Sequence, residues 1–301
     1  MDAGSRPDWP DRIEEAVQLA CLWEATARKV GNVHRYRDFA DTTYPDFVTS
    51  GLALARACRQ AVSAPPVTVG ALVLAGVTAT RRRVRANTNL GITLLLAPLA
   101  AVPVGVDLRL GVGDVLACLT VADAALAYAA VRLAAPGGLG TAPAQDVAAP
   151  PTVTLLEAMK LAADRDQVAR QYVTGFADVY GVGVPALLAG FGRQGSIEAA
   201  IIHCQLTLVA EFPDSLIARK CGPAVAVAVR DRAAAVMDAG GIATAAGRSL
   251  GVRLDTHLRA DGNRRNPGAT ADLVTACLFA ALRDGTLPPD APFPWPVPDW
   301  L

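Results

Sequence analysis

The residues best placed to do chemistry on a charged ligand run from Arg81 to Gly91, as RRRVRANTNLG. Four arginines in five positions, the last of them Arg85, can grip phosphate oxygens in two-pronged forks. Asn87, Thr88 and Asn89 then precede Gly91 and the apolar run ITLLLAPLA. Asn or Thr at the start of a helix caps its free amides, and those amides can face an anion. The pattern suits a nucleotide polyphosphate, although a solvated basic turn ahead of a buried helix would use the same residue types.

Three carboxylates fall on expected apolar stripes. In a helix over 11–28, Ile13, Val17, Ala20 and Glu24 follow steps of four, three and four. In a helix over 114–135, Leu116, Leu119, Asp123 and Leu126 share a face. In a helix over 153–180, Met159, Ala162, Asp166, Ala169, Val173 and Phe176 alternate steps of three and four, with Arg170 one turn after Asp166. Burying a lone carboxylate is costly, so each acid is expected to be paired or turned toward a site. In a core poor in lysine, three such acids favour a site.

Further polar residues gather at chain breaks. Arg28-Lys29-Val30-Gly31-Asn32-Val33-His34-Arg35 follows Glu24 directly. Asp214 ends one helix and can cap the next, and Arg219-Lys220 stand before Gly222-Pro223. Between Asn263 and Asp272, Asn266 or Thr270 can cap a last apolar helix over 273–282 beside two arginines, which makes an anion site by construction. The loop from Pro136 to Thr152 is long for a compact domain and suits a ligand-covering segment.

The elements that position these residues are expected to be helices. The 301 residues are 52% hydrophobic but only 5% aromatic, with Ala, Leu and Val dominant, and no segment has a convincing strand period. The expected architecture is all-α, one multi-helix bundle over 1–301 whose polar loops form the nucleotide site, with 284–301 a proline-rich tail extended over the surface. Basic and acidic residues balance at 28 each, so no global field draws nucleic acid or an anionic membrane, and an anion site must be local. The run from Leu90 to Val106 is broken by Pro98, Pro103 and Gly105, which favours a buried helix over a membrane span. Six scattered cysteines without a CxxC pair read as reduced core residues. They and a leader lacking signal-peptide layout point to the cytoplasm. The apolar excess leaves room for a homodimer face.

Taken together, Glu24 with Lys29 to Arg35, Asn87-Thr88-Asn89-Leu90-Gly91, Asp214 to Gly222, and Asn266-Pro267-Gly268 with Ala271-Asp272-Leu273 resemble the triphosphoribosyl-dephospho-coenzyme A synthase family, in order and in spacing. The resemblance runs from about Glu15 to Leu282. It implies an all-helical fold and ATP as substrate: the ribose 2′-hydroxyl of dephospho-CoA attacks the anomeric carbon of ATP, adenine leaves, and the triphosphate stays on the product. It also implies cations and Mg²⁺ at that triphosphate and carboxylates at the anomeric centre.

Carried over, the family pattern marks Glu24, Lys29, Gly31, Arg35, Asn87, Thr88, Gly91, Asp214, Lys220, Gly268 and Asp272. Asn32, His34, Arg85, Asn89, Arg219 and Asn266 stand in the same junctions and complete the set expected to face the nucleotide. Lys29, Arg35 and Lys220 are expected to hold phosphates, Glu24 and Asp272 to serve the metal or the reacting hydroxyl, and Asp214 to serve the metal. Asp166 is a further catalytic candidate, from helical spacing alone. The chain departs from the family's usual Pro-Lys-Pro-Gly at Arg28 to Gly31, carries His34 in place of Asp, and has Asn89-Leu90 in place of His-Lys. These forms are similar to a divergent branch and leave two other readings open: a phosphoryl or nucleotidyl transferase acting on a one-carbon cofactor precursor, and a non-catalytic helical binding protein.

Overall fold

The computed structural model describes residues 8–137, 140–297 and 300–301, and every regular element among them is helical. In chain order these are α1 (Trp9–Thr26), α2 (Tyr44–Val62), α3 (Val69–Arg81), α4 (Leu90–Ala100), α5 (Leu108–Ala117), α6 (Val121–Ala134), α7 (Leu155–Lys160), α8 (Gln167–Thr174), α9 (Val184–Gln194), α10 (Ile197–Glu211), α11 (Ser215–Cys221), α12 (Pro223–Asp238), α13 (Ala245–Arg259) and α14 (Gly268–Arg283). A π-helical turn at Val179–Gly183 leads into α9. No single helix among the described residues is long and apolar enough to cross a membrane. The run behind Gly91 becomes the eleven-residue α4, buried along almost its whole length.

Helix α10 explains how so many apolar helices share one interior. A helix that is hydrophobic all round must be covered on every side. One side of α10 gives Ile201, Cys204 and Leu208 to a core built with α1 to α4, α6, α8 and α14. The other gives Ile202, Leu206 and Val209 to a second core with α11, α12 and α13.

Two of the expected long helices are broken, and in both cases a capping acid does the breaking. The segment 114–135 divides into the end of α5 and the whole of α6. There Asp123 accepts from the Thr120 amide at 2.9 Å and the Thr120 hydroxyl at 2.7 Å, a capping box that starts α6. Its other oxygen accepts from the Gly70 amide at 2.8 Å, tying α3 to α6, and a side chain at Gly70 would strike the Asp123 backbone. Asp123 is therefore structural. Replacing it with alanine orphans buried amides and should cost about 2 kcal/mol in urea unfolding; a loss near zero would show that the two helices hold together by apolar packing alone.

The segment 153–180 likewise divides into α7 and α8 at a turn over 161–166. Asp166 is the N-cap of α8, accepting from the Val168 and Ala169 amides at 2.9 and 3.0 Å, and does not sit within a continuous helical stripe. Short polar side chains that can bond nearby amides compete with helix continuation, and here they win.

The C-terminal tail is inserted more deeply than a surface covering. Trp300 is fully buried against Gly251, and Trp295 nearly so. The Pro292 and Phe293 carbonyls accept from the Ile197 and Glu198 amides, which joins the tail to the start of α10.

Candidate active site

A cavity of about 1400 Å³ opens where the end of α1 and the starts of α4, α11 and α14 converge. Single-ligand pockets are commonly about 300–1,000 Å³, so this one has room for two. Its lining includes Glu24, Asn32, Arg85, Asn87, Thr88, Asn89, Gly91, Asp166, Arg219, Lys220, Asn266, Gly268 and Asp272. Thirteen of the expected site residues thus meet on one surface.

Local bonding fixes their directions. Asn87 Oδ1 accepts from the Leu90 amide at 3.2 Å, and the Asn89 side chain donates to Thr80 Oγ1 at 2.9 Å, so both asparagines hold the entry to α4. Thr88 between them is a buried residue of the lining whose hydroxyl has no hydrogen-bond partner. At Gly91 a side chain would collide with Oδ2 of Asp272, so the absence of a Cβ lets the first turns of α4 and α14 come together. Lys220 Nζ donates to Asn266 Oδ1 at 3.2 Å. Arg219 lies 3.7 Å from Asp166 Oδ2, and reciprocal bonds between Gln167 and Ser215 clasp the starts of α8 and α11, the helices on which this pair sits.

Glu24 and Asp272 form the acidic centre. Burial raises the Glu24 carboxyl above its ordinary range, partly offset by the Lys29 ammonium 3.1 Å from Oε1. Burial pushes Asp272 well above the carboxylate range, and the charges of Glu24, Asp214 and Asp166 add to it. Acids crowded in this way attract positive charge, whether a cation or a charge developing on a substrate.

Five expected site residues lie outside the cavity; four of them are held by structural partners, and His34 is buried. Lys29 is buried, donating to the backbone carbonyls of Glu24 and Val33 while pairing with the Glu24 carboxylate, so here it positions an acid. The Gly31 amide donates to Asp255 Oδ1 at 2.7 Å, and its positive φ of 69° lies against Leu258. His34 is fully buried, and burial followed by the charge of Lys29 and nearby arginines lowers its pKa to about 3, so its ring is neutral. Arg35 pairs with Glu198 at 2.9 Å and lies over Tyr36 and Phe293. Asp214 accepts four bonds, from the Leu216 and Ile217 amides and from the amide and hydroxyl of Thr270, which leaves no lone pair directed at a metal. It caps α11 and ties it to α14.

The same bonding reveals acids that the sequence reading passed over. Glu198 is fully buried and holds Arg28 and Arg35; Asp255 holds Gly31, Arg37 and Arg259. Glu198 lies in the first turn of the apolar α10 and Asp255 within α13, and neither stands in one of the polar junctions. Arg165 and the α6–α7 face, with Tyr128 and Met159, also line the cavity. An apolar helical residue facing a cavity has the same spacing as one facing a core.

Comparison with known proteins fits this arrangement. Residues 10–289 match the family model described as CitG: ATP:dephospho-CoA triphosphoribosyl transferase. The chain is 35% identical over 122 residues to a Pseudomonas putida protein named "Probable 2-(5''-triphosphoribosyl)-3'-dephosphocoenzyme-A synthase", covering 38% of this chain and 43% of that one. It is 32% identical over 105 residues to the protein of the same name from Pseudomonas aeruginosa strain UCBPP-PA14, covering 35% of each. The matched segments thus span less than half the length of these curated relatives. A crystal structure from Archaeoglobus fulgidus, assigned as a triphosphoribosyl-dephospho-coA synthase, superimposes with a TM-score of 0.60 at 26% identity, over 78% of this chain and 98% of that one. With some nine-tenths of its length inside the family model, the chain belongs to the CitG family of ATP:dephospho-CoA triphosphoribosyl transferases.

Proposed function

We propose that the chain carries out the reaction for which its family is named, moving the triphosphoribosyl group of ATP to the ribose 2′-hydroxyl of 3′-dephospho-CoA with release of adenine. One observation carries this reading: Glu24 and Asp272, two crowded acids, share a two-ligand cavity with the cations Arg85, Arg219 and Lys220. Breaking a bond at an anomeric carbon builds positive charge on the sugar, which such acids stabilise. The acceptor oxygen bonds to C1′, the C1′–N bond breaks with its electron pair leaving on adenine, and the hydroxyl proton passes to a carboxylate of the pair and onward to the departing base. The cations Arg85, Arg219 and Lys220 bind the triphosphate.

Among the described residues no cluster of three or more His, Cys, Asp or Glu could hold a metal alone. Mg²⁺ is commonly held by one or two carboxylates together with substrate phosphates, and Glu24 with Asp272 fit that pattern. Bound there, it would neutralise charge on the triphosphate.

The test is to incubate the protein with ATP, Mg²⁺ and dephospho-CoA and look for adenine and the mass of the triphosphoribosyl adduct. Acceptor-dependent adenine is expected. ADP, AMP or pyrophosphate in its place would instead establish phosphoryl or nucleotidyl transfer. In the same assay Lys220→Ala should raise the KM for ATP about tenfold, the value of one charge-assisted phosphate contact; an unchanged KM would remove Lys220 from the triphosphate site.

A further inference from the structure

Charged and polar junctions account for one end of the cavity; its other wing is of a different character. There the walls are Tyr128 and Val131 of α6, Leu155 and Met159 of α7 and Val168 of α8, covered by the loop over 140–147. Its polar groups are already engaged. Tyr128 Oη donates to the Gln145 carbonyl at 2.6 Å, and the loop's acid, Asp146, accepts from the Ala142 and Ala148 amides at 2.6 and 2.8 Å. Apart from Asp146, whose carboxylate these amides hold, the wing is thus an apolar surface beside a strongly charged one.

We propose that this wing holds the pantetheine arm of dephospho-CoA, the long uncharged amide chain beyond its diphosphate. The inference rests on the function proposed above and adds where the acceptor lies and what selects it. Transfer must take place beside Glu24 and Asp272, on α1 and α14. Each adenine is one bond from its ribose, so both bases stay near that point. Only two groups reach far from it: the donor's triphosphate, and the acceptor's arm past its diphosphate.

The wing is carried mainly by α6 and α7, whose main packing partners are α3, α4 and α8, while α1 packs on α14; α8 joins the two sides, packing on both α7 and α14. A triphosphate there would lose its hydration without gaining a cation, which is costly. An uncharged chain loses little and covers apolar surface. Arg165, in the turn that joins α7 to α8, is the first cation along this wall and is placed for the diphosphate that joins arm to nucleoside.

The test uses competition and two variants. In the wild-type protein, 4′-phosphopantetheine should displace dephospho-CoA and leave bound ATP in place. Met159→Asp, which puts a charge in the wing, and Ala158→Trp, which fills it, should each weaken dephospho-CoA binding at least tenfold with the ATP Kd within twofold, at unchanged far-UV circular dichroism. Phosphopantetheine that displaces ATP, or fails to displace dephospho-CoA, overturns the assignment. So does dephospho-CoA affinity that survives in both folded variants. If wild-type protein binds ATP but neither binds dephospho-CoA nor releases adenine, it is the proposed function that fails, and the assignment falls with it. Transfer that proceeds in wild type with an unaltered acceptor KM in the variants overturns the wing alone.

Discussion

Asp272→Asn is expected to abolish adenine release, by roughly 10³-fold or more, while making the folded chain more resistant to heat. The two effects have one cause. Asp272 is half-buried beside Gly91, and loss of hydration with the charges of Glu24, Asp214 and Asp166 raises its pKa well above the ordinary value. A carboxyl whose pKa is higher folded than unfolded favours the fold while protonated, below its unfolded pKa of about 3.9, and loses that stabilisation as pH rises through the folded value. Above its folded pKa the wild-type acid is therefore at its most destabilising, and the neutral amide, nearly the same shape, should melt a few degrees higher there. Near pH 4 the difference should shrink toward zero. Melting curves of both proteins across that range, with adenine assays beside them, check the claim. An asparagine variant that keeps its activity, or melts lower at high pH, would mean that Asp272 is a structural acid with a partner.

Glu198→Ala should give the largest loss of stability of any single substitution near the site, about 3–5 kcal/mol in urea unfolding. Glu198 is fully buried and accepts from Arg28 Nε at 2.8 Å, Arg35 Nη2 at 3.2 Å and the Trp295 amide at 3.0 Å. Burial opposes its ionisation, but these hydrogen bonds outweigh it and hold the carboxyl below its usual range. The sign of its pH dependence is opposite to that of Asp272. Its stabilisation is present above the unfolded pKa and lost as pH falls through the folded one, so the gap between wild type and variant should narrow toward acid pH. Removing the carboxylate leaves Arg28 buried with only carbonyl partners, those of Trp295, Val297 and Trp300. A loss under about 1 kcal/mol would mean that the arginines are solvated and the ion pairs are of the surface kind.

The helical fold was legible because alanine, leucine and valine recur at helical spacing over most of the chain. The convergence of Glu24, Asn87 to Gly91, Lys220 and Asp272 was legible through the order of separated junctions, which resembled one family. Helical periodicity misled wherever a cap intervened. Asp123 and Asp166 kept the spacing of an apolar stripe, yet Asp123 closes a capping box with Thr120 and Asp166 bonds the first amides of α8, and a stripe pattern carries no signal for that competition. Composition misled at Lys29 and Arg35. Cations in a loop suggest phosphate contacts, but their partners are Glu24, next to the loop, and Glu198, 163 residues from Arg35. Chain order does not contain that distance. The apolar wing of the cavity was illegible for a related reason, since Met159 or Val131 would carry the same hydrophobicity in a closed core.

The bonds between Arg28 and the C-terminal tail also set an order of assembly. Arg28 donates to the carbonyl of Trp300, 272 residues further along, and its own carbonyl accepts from the Trp300 indole at 2.9 Å. Ribosomal synthesis delivers the chain from its N-terminus at about 5–20 residues per second. The loop that sets Glu24 therefore waits on the order of tens of seconds for its last partner to emerge. Helices α1 to α6 can form and pack in that interval. A competent acidic centre cannot, and a nascent chain shorter than 300 residues should hold most of its helices while remaining unable to use ATP.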